Sequence, residues 1–458
     1  MQKFNRFISF LLGLILILTS CSLVFAEEGL SMSDINAKSA ILLEATSGKV
    51  IFEKNADSIR FPASTTKILT VLLGIQAAGE DLDREVTVSY SSTQIPEDAS
   101  RLSLQEGQLI KLKDLLAGTL VGSGNDGANL IAELISGSNA AFADVMNQSA
   151  RAMGAQSTNF KNPSGLHDDE QVTSARDLAT IARVAMSNPV FREMAKLSYY
   201  TIPKNNMNKG KRVSSRDKIF KNESEDEDEK KYYMPGAVGV KTGYTSQAGY
   251  CYVAAAERNG LMLIAVVLKA DSYGKAFLDC KKMLEYGFTQ YISTSISELY
   301  KKSPRIVDIS GFSEKDSELG RLSLNIVKKD PNANDRISDF ANNSAEIQRI
   351  FKDSTTFQLD YDKLKAPIEA GQELGTMYYK SPNGEVVEYQ LIASRSIAAR
   401  ERKYPTIDEI KEELARGKLS LPHFRLAYIV ILAILIAAVA LVLRIIKALF
   451  AAINKKIK

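Results

Sequence analysis

Two apolar segments separated by a four-residue turn place the strongest constraint on how this chain can fold. The segments GYCYVAAA and LMLIAVVL, residues 249–256 and 261–268, flank Glu257-Arg258-Asn259-Gly260. Asn-Gly between two apolar runs is the strongest short-range signal for a β-hairpin. The sequence therefore predicts an antiparallel pair of strands at this point.

Further strands and helices are predicted before and after this hairpin, but they do not alternate strictly. Residues 38–56 contain KSAILLEA and VIFEK, which indicate two more strands joined by a turn. Helical periodicity covers residues 64–78, three segments within 111–153, and residues 173–186 and 274–288. Because a doubly wound domain would alternate its strands and helices, this order favours an α+β or mixed domain.

The pattern changes after about residue 295, where short strands and turns predominate. The segments RIVDIS, LSLNIV, TTFQLDY, GTMYYK and EVVEYQLIA indicate a small all-β domain, and TIDEIKEELARG indicates an amphipathic helix. A length of 458 residues predicts two or three domains. The predicted boundaries are 27–292 for the first domain, 300–398 for the β-rich domain and 405–418 for the amphipathic helix.

The first 26 residues have the character of a secretory signal peptide. Lys3 and Arg6 precede the apolar run FISFLLGLILIL, and Val24-Phe25-Ala26 forms a small-x-small cleavage site. We favour cleavage after Ala26. LTSC, ending at Cys21, is a competing interpretation as a lipoprotein box, so lipidation of Cys21 stays open.

A second apolar run lies near the other end of the sequence. Residues 426–443 are uncharged and almost wholly apolar, which approaches the length needed to cross a bilayer. Basic residues follow, and positive charge marks the cytoplasmic side of a membrane. We therefore predict a transmembrane helix at 426–446 and a basic cytoplasmic tail at 447–458, with the bulk of the protein outside the cytoplasm.

Charge and residue counts exclude several classes of function. The predicted exported part has 50 basic and 54 acidic groups, so nothing indicates a nucleic-acid partner. His167 and His423 are the only histidines, which argues against a histidine metal site or a Ser-His-Asp triad. Cys251 and Cys280 are predicted to be small buried residues, although a disulfide outside the cell stays possible.

A highly charged segment lies in the middle of the chain, at residues 204–231. Its first part is basic, KNNMNKGKR, and its second part is acidic, ESEDEDEKK. Runs of charge are usually solvated loops, which is the interpretation favoured here over an interaction site.

The stretch FPASTTKIL places Ser64 three positions before Lys67 at the start of an apolar helix. Positions i and i+3 share a face of a helix, so the hydroxyl and the amine can touch. A serine hydroxyl needs a base beside it to act as a nucleophile, and burial or a second cation can lower the pKa of a lysine enough for that task. The pair is a candidate nucleophile and general base, although Ser-x-x-Lys alone is a weak signal and a surface lysine would be the ordinary alternative.

Two later motifs strengthen this interpretation. VGSGNDGAN presents Ser123 and Asn125 in a glycine-flanked turn between helices, where the hydroxyl can relay a proton and the amide can hold a substrate. VGVKTGYTSQAGYC presents Lys241-Thr242-Gly243 on a strand, which offers a cation and a hydroxyl to a substrate carboxylate. We expect an edge strand, along which an extended peptide can lie. Taken alone, each motif could be an ordinary structural element without a catalytic role.

The order Ser-x-x-Lys, Ser-x-Asn, Lys-Thr-Gly is that of penicillin-binding proteins and class A β-lactamases. From about residue 38 to 288 the chain resembles the serine D-alanyl-D-alanine carboxypeptidases, the low-molecular-mass penicillin-binding proteins of peptidase family S11. The resemblance lies in the phrases PASTTK, SGNDGAN, NPSGL, SARDLATIA and KTGYTSQAGYC. It implies a penicillin-binding/β-lactamase-like catalytic domain, an antiparallel sheet flanked by helices. Residues 366–392 resemble the family's β-rich C-terminal domain less specifically.

The resemblance also implies a role for each motif residue. Ser64 would attack the bond between two D-alanines of a peptidoglycan stem pentapeptide and form an acyl-enzyme, and Lys67 would accept its proton. Ser123 would pass a proton to the leaving amine. The remaining implied groups bind substrate (Asn125, Lys241, Thr242, Gly243) or form the oxyanion hole from backbone N–H groups (Ser64, Tyr244). Penicillin and other β-lactams would acylate the same serine, and neither metal nor organic cofactor is implied.

Some features depart from the family pattern and keep alternatives open. The predicted membrane span replaces the amphipathic helix by which many relatives attach, and the charged segment 204–231 could border the cleft. Glu170 lies in the region of the deacylating glutamate of class A β-lactamases but lacks its sequence context. A β-lactamase or D,D-endopeptidase using the same site, and a non-catalytic wall-binding sensor, remain alternatives to the carboxypeptidase.

Overall fold

The computed structural model describes residues 29–220, 227–382, 384–401, 407–416 and 422–455. The predicted signal peptide and Cys21 lie outside these residues. The chain forms two compact units. The first comprises the chain up to Arg305 with Leu324–Asp360 and Glu373–Ile392, and the second comprises Ile306–Ser323, Tyr361–Gln372 and the chain from Ala393.

The described strands are β1 Ser39–Glu44, β2 Val50–Lys54, β3 Glu85–Thr87, β4 Leu109–Lys111, β5 Tyr199–Ile202, β6 Lys211–Ser214, β7 Ala237–Thr245, β8 Gly249–Arg258, β9 Leu261–Ala270, β10 Tyr291–Ser295, β11 Ile306–Asp308, β12 Arg321–Lys328, β13 Arg336–Phe340, β14 Thr355–Leu359, β15 Glu373–Lys380 and β16 Val386–Ala393.

The described helices are α1 Lys67–Ala78, α2 Tyr90–Thr93, α3 Leu112–Gly122, α4 Asn125–Ser136, α5 Asn139–Met153, α6 Ala175–Ser187, α7 Pro189–Ala195, α8 Glu227–Lys230, α9 Tyr273–Gln290, α10 Ile296–Lys302, α11 Ser344–Ser354, α12 Ile407–Ala415 and α13 Pro422–Lys455. Short 3₁₀ turns cover Met32–Asp34, Ala63–Thr66 and Tyr361–Lys363.

The predicted hairpin is the centre of the main sheet of the first unit. Strands lie in the order β2-β1-β9-β8-β7, and every neighbouring pair is antiparallel. Asn259 and Gly260 both have positive φ angles, 51° and 74°, which the tight turn between β8 and β9 requires. The predicted hairpin is therefore confirmed, and β7 occupies one edge of the sheet.

Both faces of this sheet are covered, because alternate residues of β8 belong to two different hydrophobic clusters. Val253 and Ala255 pack in a cluster with the helices α1 and α6, whereas Tyr252 and Ala254 pack in a cluster with α9. Successive side chains of a strand point to opposite faces, so one central strand can join two cores. This arrangement explains why the hairpin is apolar throughout.

Helix α1 lies inside the helical layer and is almost entirely buried. It contacts α3, α4 and α6, so polar groups on it are screened from solvent on several sides. The predicted helix at 64–78 begins later than expected, since Ala63–Thr66 form a 3₁₀ turn and the α-helix starts at Lys67.

The charged segment at 204–231 is more ordered than the solvated loop that the sequence indicates. Lys211–Ser214 forms β6, which pairs with β5, and Glu227–Lys230 forms a short helix. Val213, Asp217 and Ile219 within it are buried. The prediction of a simple loop is therefore wrong for its described part, because these few inward-facing residues among the charges attach the segment to the domain.

The first unit also contains most of the β-rich region. Strands β12, β16, β15 and β14 are neighbours in that order, and β10 pairs with β13. The second unit contains β11, α12 and α13, and Arg395 forms an ion pair with Asp316 at 2.6 Å within it. The boundaries at residues 292 and 300 stay a prediction.

Two further observations concern the sequence predictions. Cys251 and Cys280 are buried free thiols, the arrangement that we favoured over a disulfide. Among the helices that the structure describes, none offers an apolar stretch of the length and hydropathy that a bilayer crossing needs.

Candidate active site

Ser64 and Lys67 lie side by side at the junction between the 3₁₀ turn and α1. Nζ of Lys67 is 3.1 Å from Oγ of Ser64. The same nitrogen donates to Oδ1 of Asn125 at 2.6 Å and to the carbonyl oxygen of Ser164 at 2.5 Å. A neutral amine has two N–H groups and one lone pair. If the two N–H groups bind these carbonyl oxygens, the lone pair is left for the serine hydroxyl.

The surroundings of Lys67 favour this neutral form. The side chain is fully buried, and burial is the largest cause that holds the pKa of Lys67 well below its usual value. The nearby cation of Lys241 lowers this pKa further, whereas the carboxylate of Asp126 opposes the shift. Lys241 is therefore the second cation that helps burial to lower the pKa of this lysine.

The loop between α3 and α4 places Ser123 and Asn125 beside this pair. Ser123 ends α3 in a left-handed conformation, with φ 58°, and Asn125 is the first residue of α4. The buried carboxylate of Asp126 accepts the backbone N–H groups of Leu102 and Leu104, at 2.8 and 3.0 Å, which fixes the loop. Asn125 contacts Lys67 directly. The Ser123 hydroxyl has no hydrogen-bond partner among the described residues.

A second loop supplies the Ser164 carbonyl, to which the sequence analysis assigned no role. Oδ1 of Asn162 accepts the N–H groups of Ser164 and Gly165, at 3.2 and 2.8 Å. Thr70 on α1 donates its hydroxyl to the carbonyl of Pro163 at 2.6 Å. The available signal was the turn-forming composition Asn-Pro-Ser-Gly, which predicts a fixed loop but not what its carbonyl faces.

The edge strand β7 closes the site on the other side. Lys241 and Thr242 are buried, and a Cβ at Gly243 would lie 3.0 Å from the backbone nitrogen of Ser64 and 3.1 Å from that of Thr65. Only a residue without a side chain lets the strand approach the serine turn so closely. Among the described strands, β7 pairs only with β8, so its position at the edge of the sheet is as predicted.

The pKa of Lys241 is also lower than the usual value for a lysine. Its pKa is lowered to about 7, mainly by burial and also by the guanidinium of Arg216, while the carboxylate of Asp217 opposes the shift. Tyr244 follows Gly243 on the strand and is 47 % exposed. The centroid of its ring lies 4.5 Å from that of Tyr250. The strand thus carries a lysine whose pKa is close to neutral pH and, three residues later, an exposed aromatic side chain.

Two neighbours of Lys241 were not identified from the sequence. The guanidinium of Arg216 is near enough to Lys241 to lower its pKa, so the charged segment borders the site. Asp217 is buried and binds the hydroxyl of Tyr252. No local pattern distinguishes these residues from the other charges of their segment. The carboxylate of Glu170, by contrast, lies at the surface and pairs with Lys161 at 2.7 Å.

A profile of the peptidase S11 family, described as D-alanyl-D-alanine carboxypeptidase, matches residues 26–272. The chain belongs to the peptidase S11 family of D-alanyl-D-alanine carboxypeptidases. It is 31 % identical over 397 residues to the D-alanyl-D-alanine carboxypeptidase DacF of Bacillus subtilis (strain 168), which covers 85 % of this chain and 94 % of that protein. DacA of Escherichia coli (strain K12) is 28 % identical over 385 residues, covering 82 % and 87 %.

Solved structures of the S11 family agree with the fold. Penicillin binding protein 5 from Haemophilus influenzae matches with a TM-score of 0.54 at 25 % identity, covering 81 % of this chain and all of that chain. The D-alanyl-D-alanine carboxypeptidase DacD from Francisella tularensis matches with a TM-score of 0.54 at 22 % identity and shows the shared fold alone. The predicted α+β, penicillin-binding-protein class is confirmed, as is the predicted serine D-alanyl-D-alanine carboxypeptidase class.

Proposed function

We propose that this enzyme removes the terminal D-alanine from peptidoglycan stem pentapeptides through an acyl-enzyme on Ser64. The observation that supports this assignment is the arrangement around Lys67. Its amine is 3.1 Å from Oγ of Ser64, and two carbonyl oxygens, from Asn125 and Ser164, accept its N–H groups. A base that is buried, neutral and oriented in this way fits the requirement for activating a serine.

Acylation begins when Lys67 accepts the Ser64 proton as Oγ attacks the carbonyl carbon between the two D-alanines. The oxyanion that forms is held by the backbone N–H groups of Ser64 and Tyr244, which need no reorganisation as the charge develops. Gly243 leaves room for the substrate between β7 and the serine turn.

Substrate binding uses the groups on the two sides of the serine. Lys241 and Thr242 bind the terminal carboxylate, and Asn125 holds the amide of the donor peptide. Ser123 passes its proton to the nitrogen of the leaving D-alanine and takes a proton from the Lys67 ammonium, which becomes neutral again. The Ser123 hydroxyl has no partner among the described residues and so is free to rotate toward the substrate, which supports the relay role. Water then attacks the acyl carbonyl as neutral Lys67 accepts one of its protons, and that proton passes to Oγ of Ser64 when the ester bond breaks.

The same serine opens the ring of penicillin and keeps the product as an ester. Glu170 is the sequence candidate for a β-lactamase base, but its carboxylate is at the surface in an ion pair with Lys161. Slow hydrolysis of this ester is therefore expected, which makes penicillin an inhibitor of the enzyme.

We also propose that the enzyme is anchored in the cell membrane by residues 426–446, after cleavage of the signal peptide at residue 26, with its catalytic domain outside the cytoplasm. The support is the uncharged run at 426–443 and the basic residues after it. Within α13, apolar side chains such as Leu432 and Ile436 are exposed. A chain truncated before residue 419 should leave the membrane fraction while still binding penicillin; retention in that fraction would contradict the anchor.

Labelling by a fluorescent penicillin tests the catalytic assignment. The wild-type chain should acquire one covalent label, and mass spectrometry should locate it on the peptide that contains Ser64. Ser64→Ala should abolish the label, whereas Ser91→Ala, a change at an exposed serine on helix α2, should leave it intact. Labelling of Ser64→Ala, or release of D-alanine from a pentapeptide by that variant, would refute the assignment.

A further inference from the structure

Lys211, the first residue of β6, belongs to the charged segment at 204–231, and the mechanism above gives it no role. Its Nζ donates to the carbonyl oxygen of Leu102 at 2.9 Å and to Oγ of Ser103 at 2.8 Å. These acceptors lie 109 and 108 positions earlier in the sequence, in residues 100–104, which form neither a helix nor a strand. Lys211 therefore ties the charged segment to this loop, called here loop 100–104.

Loop 100–104 needs support from outside, because no helix or sheet holds it. Ser103 has a φ angle of 61°, in the left-handed region that residues with a side chain rarely adopt. Such a backbone persists only where its surroundings fix it. Leu102 is 2 % exposed, so its carbonyl oxygen has to find a donor within the protein. Lys211 supplies that donor and also binds the side chain of Ser103.

Loop 100–104 in turn holds the start of α4. The carbonyl oxygen of Ser100 accepts the backbone N–H of Asn125 at 2.9 Å. Two backbone N–H groups of the loop donate to the carboxylate of Asp126, at 2.8 and 3.0 Å. These contacts fix the first two residues of α4, which follow Ser123 after a single glycine.

The side chain of Leu102 packs on the two glycines that flank Ser123. A Cβ at Gly124 would overlap Cγ of Leu102, and a Cβ at Gly122 would lie 3.1 Å from its Cδ2. The same Cβ at Gly122 would lie 3.0 Å from Cβ of Val213, which is on β6 two residues after Lys211. Strand β6 and the loop that it holds therefore both pack against the turn that carries Ser123.

The position of the Ser123 hydroxyl depends on the backbone of this turn. The amine of Lys67 is held directly by oxygens of Asn125 and Ser164. The side chain of Ser123, by contrast, makes no hydrogen bond to the part of the chain that the structure describes, so its left-handed backbone, with φ 58°, aims it. A displaced turn would therefore move the hydroxyl and leave the base in place, and small displacements of a catalytic group are costly.

We propose that Lys211 is a positioning residue for the proton relay. By holding loop 100–104, it keeps the turn where the Ser123 hydroxyl can give its proton to the leaving nitrogen and take one from the Lys67 ammonium. This inference rests on the proposed role of Ser123 as that relay. It gives the charged segment a function in the reaction.

The experiment compares two substrates with the same peptide donor ending in D-alanine, an amide that releases D-alanine and a thioester that releases thioglycolate. A leaving amine has to receive a proton, whereas a thiolate can leave without one. Both leaving groups carry a carboxylate for Lys241 and Thr242 to bind. Ser123→Ala should lower kcat/KM for the amide about a hundredfold and leave kcat/KM for the thioester within about threefold.

Lys211→Met keeps the aliphatic part of the side chain and removes its donors. It should lower kcat/KM for the amide about tenfold and leave kcat/KM for the thioester within about twofold. Lys282→Met is the matched control, because Nζ of Lys282 on α9 likewise donates to a backbone carbonyl, that of Asp34 at 2.8 Å. It should change neither substrate. If thermal unfolding shows that Lys211→Met does not fold, Lys211→Gln, whose side chain is one atom shorter, must give the same selective loss.

The outcomes distinguish this inference from the proposed function. If Ser123→Ala slows the amide and the thioester equally, the relay role of Ser123 is wrong and the role of Lys211 is wrong with it. If Ser123→Ala is selective but Lys211→Met leaves the amide unchanged, only the inference about Lys211 is overturned. Equal losses on both substrates in Lys211→Met would likewise overturn it, because they would reveal a purely structural role.

Discussion

The amine of Lys67 lies 2.6 Å from Oδ1 of Asn125, although the two residues are 58 positions apart in the sequence. This contact joins the first and second motifs in the resting enzyme, before any substrate is present. It orients the amine beside Ser64, and a substrate amide that takes over the Asn125 side chain would have to loosen it. We therefore expect substrate binding at Asn125 to be coupled to the activation of the base.

Replacing Lys67 by Arg should remove the general base while keeping a cation. A guanidinium stays protonated in proteins, so it cannot accept the Ser64 proton. We expect the acylation rate with penicillin to fall by about a thousandfold. Stopped-flow measurement with a chromogenic penicillin would show this.

Lys161→Arg is the matched control, since Lys161 lies at the surface in an ion pair with Glu170. Its acylation rate should equal that of the wild type. A Lys67→Arg enzyme that kept more than a tenth of the rate would argue against a lysine base.

The pH dependence of peptide hydrolysis should reveal Lys241. A group whose pKa is lowered to about 7 is protonated below that pH and neutral above it. Binding of the terminal carboxylate should therefore weaken above about pH 7, and kcat/KM for a pentapeptide should fall on the alkaline side. On the acid side, protonation of Lys67 should lower kcat/KM as well.

Lys241→Arg should abolish the alkaline fall, because arginine keeps its charge across this range. The fall of kcat/KM at acid pH should be unchanged, since it depends on the protonation of Lys67. An alkaline fall that persisted in Lys241→Arg would assign it to another group.

A methyl group at position 243 should obstruct the serine turn. The Cβ of Gly243→Ala would lie 3.0 Å from the Ser64 nitrogen, so either β7 or the turn must move. We expect acylation by penicillin to slow by about tenfold to a hundredfold, because small displacements of reacting groups are costly.

Gly29→Ala is the comparison variant, because the nearest atom to its added Cβ is the Tyr286 hydroxyl oxygen at 3.9 Å. It should acylate at the wild-type rate. Thermal unfolding of both variants separates a displaced site from a destabilised fold. Wild-type acylation by Gly243→Ala would mean that the strand does not need to approach the turn.

Asn162→Ala should release the loop that presents the Ser164 carbonyl to Lys67. The side chain accepts two backbone N–H groups of that loop, so its loss leaves the carbonyl poorly fixed. Acylation should slow by about tenfold, and its dependence on pH should change because Lys67 loses one acceptor. A pH series of the acylation rate measures both.

Asn205 makes a similar turn elsewhere, accepting the N–H groups of Met207 and Asn208 at 2.9 and 3.0 Å. Asn205→Ala should leave acylation unchanged. Equal rates for Asn162→Ala and the wild type would show that the Ser164 carbonyl is dispensable.

Local sequence determined much of the secondary structure, because turn chemistry and periodicity act over a few residues. The turn at Asn259-Gly260 and the strands at 306–308, 321–328, 355–359, 373–380 and 386–393 follow from such patterns. Strands β10 and β13 were missed. They pair with each other across a sequence separation of 41 to 49 residues, and neither has a distinctive alternation of apolar residues.

The sequence by itself determined which residues could perform the chemistry. The i, i+3 spacing of Ser64 and Lys67 is enough to bring a hydroxyl and an amine together, because the 3₁₀ turn Ala63–Thr66 leads directly into α1. Residues 123–125 and 241–243 were recognisable because each motif is contiguous.

Only the tertiary structure decided which groups surround Lys67 and Lys241. These groups come from segments far apart in the sequence. They are the oxygen acceptors of Asn125 and Ser164 and the opposing charges of Asp126 and Asp217. Desolvation and Coulomb interactions depend on distance in space and on burial. No local pattern specifies these quantities, so the protonation states on which the reaction depends are properties of the fold.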